Sequence, residues 1–192
     1  MNIGIYVYPS VEVLDFSGPF EVFATAARIC GQKAAPEVFL VGETGGVVEA
    51  RGGYRVVPAF GFRNHPQIDV LIVPGGVHTA EMAKPQVIAW IARTAKQAAL
   101  VASVCTGVFL LAKAKVITTE NVTTHWEDIA DLRTRFPDLT VHAERRWVDE
   151  GPVVTSAGIS AGIDMSLHLV ERLLGRESAR KTANQMEYDW AG

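Results

Sequence analysis

The stretch LVASVCTGVFLLA, residues 100–112, sets Cys105 between an apolar run and a helical pattern. A thiol at such a strand-to-helix turn sits beside the positive end of the following helix. That placement stabilises thiolate and predicts a pKa below the free value of about 8.5. Two other loops carry groups that suit a nucleophile. YPSVEVLDFSGP follows the first apolar run and holds Asp15; a carboxyl repelled by a thiolate tends to keep a proton, which makes Asp15 a candidate acid and proton shuttle. IVPGG supplies Gly75 and Gly76, whose amides, with that of Thr106, can face a developing negative charge. Each feature also has a plain structural reading. Free cysteine is often a small core hydrophobe, an Asp at a helix start is often a cap, and Gly-Gly is often a tight turn. Only their meeting at one edge makes a catalytic site.

The elements that must bring them together are legible as alternating patterns. Apolar, β-branched runs recur at residues 3–7, 38–41, 68–73 and 98–104, each closed by a Gly, Pro or polar break. Runs apolar on both faces suit the strands of a covered parallel sheet. Between them lie the helical patterns PFEVFATAARI, opened by Gly18-Pro19, then KPQVIAWIARTAKQ and TGVFLLAKA. This alternation predicts an α/β protein with a mostly parallel sheet and helices on both faces. In such a sheet ligands bind beyond the carboxyl ends of the strands, where Asp15, Gly75-Gly76 and Cys105 are all delivered. Residues 47–58, with Gly52-Gly53, read as a hairpin or meander at a sheet edge, and residues 144–157 as a second hairpin turning at Glu150-Gly151-Pro152. Two helices close the chain, one from a Ser160 cap to Gly175 and one from about Glu177 toward Tyr188. No linker marks a boundary, so residues 1–192 are expected to form one domain.

Composition narrows the partners. A net charge of −3 with no basic run offers no footprint for nucleic acid or an anionic membrane, and a small molecule is the simpler partner. The strand-like NIGIYVY directly follows Met1 and no apolar run reaches membrane length, so a soluble cytoplasmic protein is expected. Cys30 and Cys105 form no CxxC motif, and Cys30 reads as structural. The five histidines lack metal-ligand spacing; His142 suits a strand surface and His168 a helix face, so no metal is expected. His125 precedes a helical stretch as a capping and core residue, with a pocket role as the alternative. The loop TSAGIS, residues 155–160, either closes over the site with Gly158 and Ile159 or forms an ordinary turn with Ser160 as cap.

Taken together, LDFSGPFEVF, IVPGG, SVCTGVFLLA, TTHW and TSAGISAGIDMSLHLVE resemble the ThiJ/PfpI superfamily, of class I glutamine amidotransferase-like fold, along nearly the whole chain. Asp15 in LDFSGP with Cys105-Thr106-Gly107 is similar to the isonitrile hydratase branch. The resemblance implies a flavodoxin-like three-layer sandwich with a nucleophile elbow, usually within a homodimer. It also implies that Cys105 is the nucleophile, Asp15 its acidic partner and Thr106 a supporting catalytic residue. The loops read above add Gly75, Gly76, Gly158, Ile159 and His125 as candidates to face the substrate or a developing oxyanion. The activity implied is a cofactor-independent hydration of an organic isonitrile to an N-substituted formamide. Alternatives within the superfamily are a glyoxalase- or deglycase-type enzyme acting on 2-oxoaldehydes, and a non-catalytic stress or ligand sensor. PfpI-type peptidases carry a histidine directly after the cysteine, and Thr106 stands there instead. Sensor domains of AraC-type regulators share the pattern, but retained Asp15 and Cys105, with no DNA-binding segment, favour the enzyme. The turn after the elbow helix departs from the branch, with Lys115 where a glycine would sit.

Overall fold

The computed structural model describes residues 1–29 and 35–190. In chain order the elements are β1 (Asn2–Tyr6), α1 (Val13–Ile29), β2 (Glu37–Gly42), β3 (Val48–Glu49), β4 (Arg55–Val56), β5 (Phe60–Gly61), β6 (Val70–Val73), α2 (Thr79–Met82), α3 (Pro85–Gln97), β7 (Leu100–Val104) and α4 (Gly107–Lys113). They continue as β8 (Asn121–Val122), α5 (Ile129–Arg135), β9 (Thr140–Val141), β10 (Trp147–Asp149), β11 (Val153–Ser156), α6 (Ala161–Leu174) and α7 (Arg176–Gln185). Seven strands form the main sheet in the order β10-β11-β7-β6-β1-β2-β5, parallel throughout except for the β10–β11 hairpin.

The apolar runs explain the centre of this sheet. Every residue of β6 and β7 is buried, as strands covered on both faces must be. One layer packs α1 against α6 and α7, and the other packs α3 against α2 and α4. This is the flavodoxin-like, three-layer α/β arrangement expected. The chain leaves β1 toward β2 on one side and reaches β6 and β7 on the other, so the order reverses between β1 and β6. Loops diverge at such a switch point and leave a crevice at the carboxyl ends of the strands. No helix among the described residues is long and apolar enough to cross a membrane.

Three local readings are corrected. The first helix starts at Val13 rather than at Gly18-Pro19, which puts Asp15 inside its first turn and Pro19 in its interior. Pro19 removes one amide donor from the ladder, and the burial of the helix face around it outweighs that loss. The hairpin around Gly52-Gly53 forms its own two-stranded sheet, β3–β4, instead of extending the main one. It is tied to the loop after β1, where Ser10 N–H donates to Glu49 O at 2.8 Å and Arg51 N–H to Val11 O at 3.0 Å. Ser160 flanks α6, but its side chain makes no capping hydrogen bond. The β10–β11 hairpin and the stop at Gly175 fall where expected, with Gly151 and Gly175 at φ 85 and 89°. Cys30 lies outside the described residues.

The elbow and the loop after β6 interlock so closely that Gly107 has no room for a side chain: a Cβ there would overlap the carbonyl of Val73. Both sides of that contact are backbone, so relief requires moving α4 or β6. Gly107→Ala is therefore expected to destabilise the protein by at least about 2 kcal/mol, as overpacking against an unyielding wall does. Urea unfolding checks this; an unchanged midpoint would contradict the packing described.

Candidate functional site

Cys105 follows the last residue of β7 and is separated from α4 by Thr106 alone, and it is held at φ 56°. A non-glycine residue in the left-handed region costs of order 1–3 kcal/mol and persists only where its surroundings fix it. Here they do. Cys105 N–H is shared between the carbonyls of Ser156 (3.2 Å) and Ala157 (3.3 Å), and Thr124 Oγ1 donates to Cys105 O at 3.0 Å. The thiol side chain is consequently fixed at the floor of a cavity of about 270 Å³. Around it stand Gly76, Val77, His78, Thr106, His125, Asp128 and Ile159, with Glu12, Arg51, Thr79 and Glu127 completing the wall.

Asp15 reaches the Cys105 thiol from α1 and is completely buried, so it stands behind the cavity wall rather than in it. Its Oδ2 accepts a hydrogen bond from Gly75 N–H at 3.0 Å, across the switch point, while Oδ1 has no partner in ordinary hydrogen-bond geometry. Burial pushes the Asp15 carboxyl up to about 7, aided by Glu12; the Gly75 amide, the Cys105 thiol and the Ile159 amide pull the other way. Cys105 as a whole is 7 % exposed. Burial also pushes its thiol up, above the ordinary thiol range, and the adjoining Asp15 carboxyl pushes it further against the pull of the Thr106 amide. The expectation of a depressed thiol pKa is thereby corrected. A short helix following the cysteine does not offset desolvation together with a neighbouring acid. Asp15 and Cys105 each perturb the other, so they titrate as a pair rather than singly.

Two of the three amides expected to face a developing negative charge are engaged elsewhere. Gly75 N–H is spent on Asp15, and Gly76 N–H donates to Thr106 Oγ1 at 3.0 Å. Thr106 Oγ1 returns a hydrogen bond to Gly76 O at 3.1 Å, so its one proton locks the elbow to the β6 loop. Thr106 N–H is the amide directed at the sulfur. Gly158 serves packing, since a Cβ there would overlap the ring of His125. That ring lines the cavity; its Nδ1 accepts from Glu127 N–H at 3.4 Å and lies 3.6 Å from an Asp128 carboxylate oxygen. Ile159 also lines the cavity, at φ 52°, and its amide bears on Asp15. His142 bonds Asn121 at 2.8 Å, and His168 bonds Asp149 at 2.7 Å beneath Trp147; both sit apart from the cavity wall.

Several wall residues escaped the sequence reading. Val77 and His78 directly follow the Gly pair, which was the available signal. Arg51 arrives from the β3–β4 turn and pairs with Glu12 at 3.0 Å, a contact that no local pattern announces. His78 packs on Phe109 and is kept neutral by burial, which holds its pKa below the usual range. Among the described residues no group of three or more His, Cys, Asp or Glu side chains could hold a metal ion.

Comparison with known proteins adds four findings. The pattern of the DJ-1/PfpI family matches residues 1–172. An isonitrile hydratase of Pseudomonas putida is 34% identical over 98% of this chain and 78% of its own length. The HTH-type transcriptional regulator GbdR of Pseudomonas aeruginosa is 30% identical over 98% of this chain, which spans only 51% of that protein. Among solved structures, a THiJ/PfpI family protein from Pseudomonas syringae superposes with a TM-score of 0.87 at 27% identity, covering 100% of this chain and 76% of that one.

A buried carboxyl that titrates near 7 leaves a signature in stability. Between about pH 4 and 7 the unfolded chain has released the Asp15 proton and the folded chain has not, so the folded state binds more protons and stability falls as pH rises. Asp15→Asn is expected to abolish this contribution, worth up to about 4 kcal/mol across that window. Urea unfolding of both proteins from pH 4 to 8 measures the difference; parallel curves would refute the shifted carboxyl.

Proposed function

This chain belongs to the DJ-1/PfpI family, and from that premise we propose that it is an enzyme hydrating organic isonitriles to N-substituted formamides. The observation carrying the reading is the contact between the Cys105 thiol, which lines one small cavity, and the fully buried Asp15 carboxyl beside it. The similarity to an isonitrile hydratase across 98% of the chain supports the choice of substrate.

The pair suits that chemistry because an isonitrile needs a sulfur and a proton delivered to the same terminal carbon. With both groups protonated the pair holds two protons and neither can act as base. Above about pH 7 it holds one. The carboxylate then takes the thiol proton as the sulfur bonds to the isonitrile carbon, and returns it to that carbon, giving a thioimidate. Water adds to the thioimidate carbon, one of its protons passing to the nitrogen. The C–S bond then breaks, the hydroxyl proton ends on the sulfur, and the formamide leaves with the thiol restored. No oxidation or reduction occurs and each proton is accounted for. Thr106 acts by holding the elbow against Gly76 and by directing its amide at the sulfur.

A second reading is supported by the similarity to GbdR, in which the same fold would bind a small molecule without transforming it. Turnover separates the two. Purified protein is expected to release formamide from alkyl and aryl isonitriles, with kcat/KM rising with pH through about 7 as the pair loses its first proton. Cys105→Ala is expected to abolish turnover, and Asp15→Asn to lower kcat by roughly 10²–10⁴ and remove the rise near pH 7. Formation of lactate from methylglyoxal but no formamide from the panel would favour the oxoaldehyde activity instead.

A further inference from the structure

We propose that the cavity at the far end of the elbow helix binds a soluble anionic amphiphile, a carboxylate on a single apolar chain, with Lys113 and Lys115 holding the carboxylate. This site shares no lining residue with the cavity at Cys105, so it stands whether or not the isonitrile reaction does.

The cavity lies between the ends of α4 and α5 and measures about 460 Å³, within the range of small-molecule pockets. Much of its lining is apolar. Ile117 and Leu139 are buried there and Phe136 is half-buried. Among the lining residues the cations Lys113, Lys115 and Arg135 stand against one carboxylate, Asp138. Arg135 is also held by Asp131, to which its Nε donates at 3.0 Å. Lys113 and Lys115 are exposed and have no ion-pair partner among the described residues, so they carry the uncompensated charge.

Lys115 adds an independent argument. It closes α4 in a Schellman turn, its own N–H donating to Ala112 O and that of Val116 to Leu111 O, both at 3.0 Å. The residue at its place in that turn takes a left-handed backbone and is usually glycine, yet Lys115 holds φ 56° there. Strain of this kind persists where the side chain is used, and this side chain lines the cavity.

The two halves of the site select one ligand class. An inorganic anion would leave the apolar lining uncovered, and an uncharged chain would leave the lysines unpaired. Anionic membranes are recognised by clusters of about 4–8 basic residues. Here only two lysines are unpaired, and the apolar surface beside them is a recess rather than a protruding face.

Calorimetry with decanoate, kept below its micellar concentration, tests the assignment against acetate and decan-1-ol. Decanoate is expected to bind at least about tenfold more tightly than acetate, because only the longer chain covers the apolar lining. The double variant Lys113→Gln, Lys115→Gly is expected to weaken decanoate severalfold and to leave decan-1-ol unchanged. Lys115→Gly alone is expected to raise the urea midpoint, since glycine suits the turn, which separates lost binding from lost folding. A falling midpoint would mean that Lys115 is there to hold the turn and would overturn the assignment. So would decanoate binding untouched by the double variant, which would place the ligand elsewhere, or acetate binding as tightly as decanoate. Decanoate failing to bind while phosphatidylserine vesicles sediment the protein would make the surface a membrane contact instead. A dimer in light scattering that the double variant dissociates, without decanoate binding, would make it an interface between copies.

Discussion

A carboxyl and a thiol pressed together out of water cannot both be ionised, and the architecture around Cys105 is arranged to hold that pair in place. Asp15 comes from the first turn of α1 and Cys105 from the end of β7, so β6 has to lie between them and its loop has to join them. The Gly75 amide does so on the acid side and the Gly76–Thr106 exchange on the thiol side. The pair therefore exists only when three strands of a parallel sheet are in register at one edge.

The strain at Cys105 follows from the same demand. Cys105 is held at φ 56° with its thiol in contact with the Asp15 carboxyl. The cost is met by hydrogen bonds to the cysteine backbone from opposite sides, one group reaching in from β11 and the residue after it, the other from Thr124. Gly107 lets α4 begin hard against the Val73 carbonyl, which fixes the helix that follows the elbow. These contacts are all made by backbone or by buried hydroxyls, which makes the elbow rigid before any ligand arrives.

What could be read in the sequence follows from which interactions are local. β6 and β7 were legible because strands buried on both faces are continuous apolar runs, and the turn at Gly151 because its positive φ demands glycine. The convergence of Asp15, Gly75 and Cys105 was legible from the rule that parallel strands deliver their loops to one edge. The start of α1 was not, because Pro19 signals a helix start wherever it stands and only tertiary burial shows that the helix began earlier. The protonation of Cys105 was misjudged for a similar reason. The helix that would lower its pKa is visible in the chain, but the burial and the carboxyl that raise it belong to the folded packing. Arg51 and His78 entered the wall through contacts that no spacing announces.

The claim on which the rest turns is that Asp15 keeps its proton to near neutrality beside a thiol that is itself protonated. Carbon-13 NMR of protein labelled at aspartate carboxyls, with Asp15→Asn to assign the resonance, observes this directly. The account predicts a carboxyl that titrates at about pH 7. A resonance titrating near pH 4, with its exposed counterparts, would contradict it.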